Sequence, residues 1–289
     1  MSRPAATASL ALLALAAGSA PSAAQAPAGP APAARPPQQK AADLVKVELV
    51  ADATGVSPGK PITLAMKFTI ATGWHIYWEN PGEAGLATEV AFAAPAGYEI
   101  GPVRYPGPDR FQTPGETAAS FGYAGSALLS SSVTGPRVAS AAGPLRFSAE
   151  ATYLVCRDMC IRGQGKASLE LPLASRAQPA RPANAALFRR HRAELPRRQA
   201  ELGATPRWER DARGVRLVLA IKRADRVEYF PPTGEDLNLV GQKSAGASGK
   251  GELQLDYKPG FKPAHARGVV AVTDGAERRF YALDLEEKP

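Results

Sequence analysis

Within residues 61–70 (PITLAMKFTI), Ile62, Leu64, Met66, Phe68 and Ile70 alternate with Thr63, Ala65, Lys67 and Thr69. A repeat of two sends alternate side chains to opposite faces of an extended chain, so this run predicts a strand with one buried face and not a helix. The same pattern recurs along the chain. Short strands are predicted over residues 44–50, 74–78, 89–93, 98–104, 127–134, 145–155 and 166–173, with turn signals at Asn80-Pro81-Gly82, Pro95-Ala96-Gly97 and Gly143-Pro144 between them. About eight short strands in ~130 residues predict an immunoglobulin-like antiparallel β-sandwich. Composition points the same way. The 27 Gly and 27 Pro in 289 residues exceed their usual combined share of about 12%, which favours turn-rich β structure over a helical bundle.

Beyond residue 176 a helix intervenes. Asn184 is a candidate N-cap, Leu187 and Phe188 supply an apolar side, and Pro196 stops the run, leaving Arg189, Arg190, His191 and Arg192 as a solvated face. Strands resume over residues 215–221, 226–230, 252–257, 268–273 and 279–285, with 241–251 (GQKSAGASGKG) as a flexible loop among them. This second unit reads as a smaller β-sandwich without cysteine. The fold class expected is therefore mainly β, two sandwiches joined by an Arg-rich helical connector.

The first residues carry an export signal. Arg3 is followed by the apolar run AATASLALLALAA (5–17), and Ser22 and Ala24 fit a cleavage site, so 1–24 reads as a signal peptide. That run is shorter than the ~20 residues needed to span a bilayer, and no later run approaches that length. Residues 25–42 form an Ala/Pro-rich linker expected to be disordered. The domains expected are then 43–175, an Arg-rich helix and linker over 176–213, and 214–289. The net charge of +8 invites a nucleic-acid reading, but residues 176–213 hold ten Arg against four acidic residues and the rest is nearly balanced. One Arg-rich connector without interleaved aromatics is weak support for that reading, and the export signal argues the other way, so no nucleic-acid partner is expected.

Only two cysteines occur, which excludes a disulfide-dense scaffold and a four-thiolate zinc site. They lie in Tyr153-Leu-Val-Cys156-Arg-Asp-Met-Cys160. In extended chain these positions would stand about 13 Å apart, too far to bond, whereas a tight turn through Arg157, Asp158 and Met159 can bring them together. Three readings stay open: a structural disulfide, a thiol–disulfide exchange pair, and a Cu(I) site of Cys156 and Cys160 with Met159 or His75.

Four further segments narrow these. Gly73-Trp-His-Ile-Tyr-Trp-Glu-Asn-Pro-Gly82, Tyr105-Pro-Gly-Pro-Asp-Arg-Phe111, Phe121-Gly-Tyr-Ala-Gly125 and Leu154-Val-Cys156-Arg-Asp-Met-Cys160 follow one another in an order that resembles the periplasmic N-terminal domain of the protein-disulfide reductase DsbD family, in its ScsB-like branch associated with copper tolerance. The resemblance covers roughly residues 43–173. It implies an immunoglobulin-like redox domain of the periplasm that relays reducing equivalents in electron transfer and needs no cofactor. By that resemblance Cys156 and Cys160 are the catalytic pair, Cys160 forming the mixed disulfide. Phe111 is the candidate cap over the pair, and Tyr77, His75 and Tyr123 are candidate site-lining residues. The implied partners are a thioredoxin-fold donor, fed by a separate membrane electron conduit, and an exported oxidoreductase or isomerase as acceptor. The alternative is a non-catalytic partner-binding or Cu(I)-binding module.

Overall fold

The computed structural model describes residues 39–112, 119–138, 143–212, 214–234, 239–247, 250–259 and 265–286. The stretch expected as a signal peptide (1–24) and most of that expected as a linker (25–42) lie outside the described residues. Ala41–Leu44 forms one helical turn (α1) that buries Ala41 and Leu44 and runs directly into β1 (Val45–Ala51). Ala41, expected within the linker, is thus part of the packed structure, because it finds apolar cover.

Two antiparallel sheets make the first sandwich. One runs in the order β1, β2 (Pro61–Ile70), β8 (Ser126–Thr134), β5 (Glu99–Ile100). The other runs β10 (Cys160–Leu171), β9 (Leu145–Cys156), β3 (His75–Gly82), β7 (Ser120–Ala124), β6 (Asp109–Phe111), with β4 (Glu89–Ala93) also on β9. The alternation in β2 does what its period predicts. Leu64, Met66 and Phe68 are fully buried and share one core with Ile76, Phe147, Tyr153 and Val155 of the larger sheet, and Phe68 meets Tyr153 edge to face at 6.0 Å. Each such side chain contributes ~1.5–3 kcal/mol on burial.

Two sequence expectations shift here. The strand expected over 98–104 is only two residues long, followed by a single bridge from Arg104 to Ser130. The strand expected from 166 starts at Cys160, because pairing with β9 begins at the cysteines themselves. Gly163 and Gly165 lie inside this strand, where a Cβ would stand 2.3 Å from the Tyr153 ring and 2.6 Å from Val47. They mark close approach, not a turn.

The connector helix α2 (Ala185–Glu194) follows Asn184, whose φ of 51° places it in the left-handed region. The Asn184 side chain does not cap the helix; its amide donates to the Ala51 carbonyl at 2.9 Å. Phe188 packs on Ala65 and Leu128. His191, one turn on, is 2% exposed and pairs with Ser130 Oγ at 2.7 Å through Nε2. His191 thus leaves the solvated face expected for it, since i and i+3 lie on one side of a helix. Arg189, Arg190 and Arg192 remain exposed.

The second sandwich pairs a sheet of order β11 (Ala204–Asp211), β12 (Gly214–Lys222), β15 (Lys250–Tyr257), β14 (Leu239–Ala247) with one of order β13 (Arg226–Phe230), β16 (His265–Asp274), β17 (Glu277–Glu286). Two corrections follow. Residues 204–211, expected within the linker, are a strand of this unit. The stretch expected as a flexible loop (241–251) supplies most of β14 and the start of β15, since ladder hydrogen bonds need backbone and not apolar side chains.

The three-stranded sheet is buried on both faces. Val227, Tyr229, Val270, Val272, Tyr281 and Leu283 face the second core. Their neighbours Phe230, Val269, Ala271 and Phe280 belong to the first core, together with Trp78 and Phe121. One sheet is thus a wall common to both sandwiches.

Candidate redox site

The site lies on the outer face of the larger sheet, at the end of the β9–β10 hairpin. Cys156 closes β9, Cys160 opens β10, and the two are direct partners in the ladder. Arg157, Asp158 and Met159 make the turn, closed by the Arg157 amide donating to the Met159 carbonyl at 3.1 Å. This brings the Cα atoms to 4.2 Å, and the sulfurs form a disulfide. The two cysteines differ in access: Cys156 is 2% exposed, whereas Cys160 is an exposed residue.

Strand parity decides what surrounds the pair. Along β3 and the residue before it, Trp74, Ile76 and Trp78 point into the core, so His75 and Tyr77 point outward. His75 is the ladder partner of Cys156. The Tyr77 hydroxyl donates to Cys156 Sγ at 3.2 Å and lies 3.7 Å from Cys160 Sγ. Burial raises the Tyr77 phenol above its usual range, while a hydrogen bond with Ser120 pulls it down. Tyr77 is itself covered by the backbone at Gly85, where a Cβ would stand 2.4 Å from its ring.

Phe111, on β6, stacks on the His75 imidazole with ring centres 4.3 Å apart and planes 11° from parallel. His75 in turn meets Tyr77 edge to face at 5.3 Å. Phe111 therefore reaches the disulfide through His75 and Tyr77. Burial lowers the His75 pKa, and its buried Nε2 has no hydrogen-bond partner among the described residues. A neutral imidazole under an aromatic ring is the outcome.

Tyr123 is not part of this cluster. It pairs with Ile76 in the ladder and so shares the core face, fully buried, its hydroxyl donating to the Pro106 carbonyl at 2.9 Å. A one-residue offset separates a site-lining position from a core position. Met159 sits at the tip of the turn, 61% exposed. No group of three or more His, Cys, Asp or Glu arranged to hold a metal occurs among the described residues.

Two further contributors, Ser120 and Gly85, carry no signal in the sequence, and Arg157, expected only as a turn residue, has contacts of its own. Ser120 bonds Tyr77 and pairs with Phe111 in the ladder. Arg157 lies over the Trp74 ring at 5.0 Å and pairs with Asp158 at 2.8 Å, which fixes the turn between the cysteines. Gly85 makes room for Tyr77.

Residues 41–172 match the sequence family described as thiol:disulfide interchange protein DsbD, N-terminal. The crystal structure of the N-terminal periplasmic domain of ScsB from Proteus mirabilis aligns over 87% of this chain and 97% of its own length, at 16% identity and a TM-score of 0.59, so both sandwiches have a counterpart in its fold. Two titin Z1Z2 structures align over 85% of this chain at 12% identity, with TM-scores of 0.19. No curated protein sequence matches the chain. Residues 41–172 are accordingly a DsbD N-terminal-like domain, carrying its cysteine pair where two strands of its larger sheet turn back on one another.

Proposed function

We propose that this protein relays reducing equivalents by thiol–disulfide exchange through Cys156 and Cys160. The observation that carries the reading is the asymmetry of the pair: Cys160 is exposed, while Cys156 is buried against a tyrosine hydroxyl aimed at its sulfur.

A thiolate of a reduced, thioredoxin-fold donor attacks Cys160 Sγ. The Cys156–Cys160 bond breaks, Cys156 leaves as a thiolate, and a mixed disulfide joins Cys160 to the donor. The Tyr77 hydroxyl donates to the departing Cys156 sulfur, which stabilises the charge where it forms. The donor's second thiolate then attacks its own bonded sulfur and releases Cys160. Two electrons have moved: the donor is oxidised to a disulfide and the pair is a dithiol. With an exported oxidoreductase or isomerase as acceptor, the Cys160 thiolate attacks the acceptor disulfide and Cys156 resolves the intermediate. Phe111, stacked on His75, shields the Cys156 side of the pair between partners. The leader-like first 24 residues support a periplasmic setting, with a separate membrane conduit supplying the donor.

The test is the equilibrium reduction potential of the pair, measured in defined thiol–disulfide buffers with thiol trapping. A value between about −120 and −270 mV, the range of exchange proteins, is expected. A value below about −300 mV marks a bond that stays closed and overturns the reading. Cys156→Ser is expected to trap a mixed disulfide with a thioredoxin-fold partner through Cys160, and Cys160→Ser to trap none.

A further inference from the structure

The strand that carries Phe111 is gripped from behind by the second sandwich, residue by residue. Gly107 donates its amide to the Glu194 carbonyl at the end of α2 (2.9 Å), and its missing side chain admits Phe280, whose ring a Cβ would meet at 1.9 Å. The Pro108 carbonyl accepts from Arg278 Nη2 at 3.2 Å, and the Asp109 carboxylate pairs with Arg278 Nη1. Arg278 also pairs with Glu228 at 3.1 Å and lies over Phe280 at 4.8 Å. Arg110 reaches the opposite way. Its guanidinium lies over Phe121 at 5.0 Å and Phe230 at 5.8 Å, and donates to the Tyr229 carbonyl at 3.3 Å. The next residue is Phe111, on His75.

Glu228, Phe230, Arg278 and Phe280 alternate along β13 and β17 onto the face turned to the first core. The face that completes that core therefore also holds β6. Packing alone needs no charge there, yet Arg110 and Arg278 cross the boundary in opposite directions on consecutive cap-strand positions. We propose that the second sandwich positions the cap: through Arg110 and Arg278 it holds β6 so that the Phe111 ring stays on His75 beside the disulfide. This rests on the exchange reading above, in which Phe111 shields the Cys156 side of the pair. Arg110 and Arg278 are positioning residues and touch neither sulfur.

The test uses the full chain. The rate at which dithiothreitol in excess reduces the Cys156–Cys160 disulfide is measured for the unaltered protein, Phe111→Ala, Arg278→Gln, Asp109→Asn, and Arg278→Gln combined with Phe111→Ala. Asp109 has an exposed side chain, so its amide variant leaves the fold intact should Arg278→Gln prove unstable. Phe111→Ala is expected to react about tenfold faster, and Arg278→Gln and Asp109→Asn to rise toward that rate. The combined variant is expected to react no faster than Phe111→Ala, a non-additivity that general loosening of the fold would not produce. The equilibrium potential should stay unchanged in both clamp variants. Acceleration by Phe111→Ala alone, or additive effects, or a shifted potential in the clamp variants would overturn the positioning role and leave the cap standing. A Phe111→Ala rate equal to that of the unaltered protein would instead overturn the cap itself, and this inference with it.

Discussion

In the proposed exchange, a single hydroxyl, that of Tyr77, faces the leaving sulfur. A hydrogen bond to a thiolate is stronger than one to a disulfide sulfur, so Tyr77 stabilises the reduced pair more than the oxidised one. Tyr77→Phe is expected to shift the potential about 20 mV more negative, the equivalent of ~1 kcal/mol lost from the reduced state. An unchanged potential in redox-buffer titration would show that the hydroxyl only packs there. His191 governs a different property. Burial, with Arg104 and Arg192 nearby, pulls its pKa down to about 4 from 6.5. The folded protein therefore holds His191 neutral while the unfolded chain protonates below pH 6.5. Its stability is fully present above pH 6.5 and is lost as pH falls toward and through 4, by ~3 kcal/mol at most. Urea unfolding at pH 7.5 and pH 5 should show this loss, and His191→Gln should flatten it. A residual slope of the same sign is expected from His75, whose pKa is also lowered by burial.

At the scale of elements, the β3–β7 pairing sets which rings meet the disulfide. Gly122 faces Tyr77 in that ladder, and a Cβ there would stand 2.0 Å from the Ile76 carbonyl oxygen. Backbone cannot yield as a side-chain tip can. Gly122→Ala is expected to cost ~3 kcal/mol of stability and to displace Tyr77 from the sulfurs. Gly97 is the control: its φ is +82° but a Cβ there meets nothing within 4 Å, so Gly97→Ala should cost only the ~1 kcal/mol of left-handed strain. Equal losses in denaturant melts would refute the close-approach argument. Parity at this scale also explains what the sequence reading could and could not see. Trp74 to Trp78 reads as a strand, but apolar and aromatic residues stand at every position, so periodicity does not tell the outward His75 and Tyr77 from the inward Ile76. Tyr123 is expected beside the pair only from the family resemblance, and no local pattern contradicts it. Its face is set by its pairing with Ile76, a register that no local pattern states.

At the scale of the whole molecule, the three-stranded sheet joins the two cores. Phe230 meets Trp78 edge to face at 6.2 Å and Phe121 at 5.2 Å, and the buried Asn80 side chain donates to the Pro231 carbonyl at 2.8 Å. The two sandwiches are expected to unfold in one transition. Phe230→Ala should lower that transition as a whole, by ~3–5 kcal/mol. Two resolved transitions in calorimetry, with only one responding to Phe230→Ala, would show that the cores are independent. A trace of this arrangement is legible in the sequence: Gly268-Val-Val-Ala-Val-Thr273 lacks the alternation of β2, as a strand buried on both faces should.

The amino-acid sequence by itself determined the β character, the two sandwiches, the intervening helix and the segment that holds the cysteines, because these follow from local period, turn residues and spacing. The ordered motifs around Trp74, Phe111, Phe121 and Cys156 were enough to point to the family. Tertiary structure alone decided the rest. It chose which of two adjacent residues faces the disulfide, buried His191 in place of solvating it, and made backbone ladders of the Gly/Ser-rich stretch after Leu239. It also set Arg110 and Arg278 across the boundary between sandwiches, 168 positions apart in the chain. Such choices depend on register and on partners far away in sequence, and the free energy that selects them exists only once the strands have paired and the cores have closed.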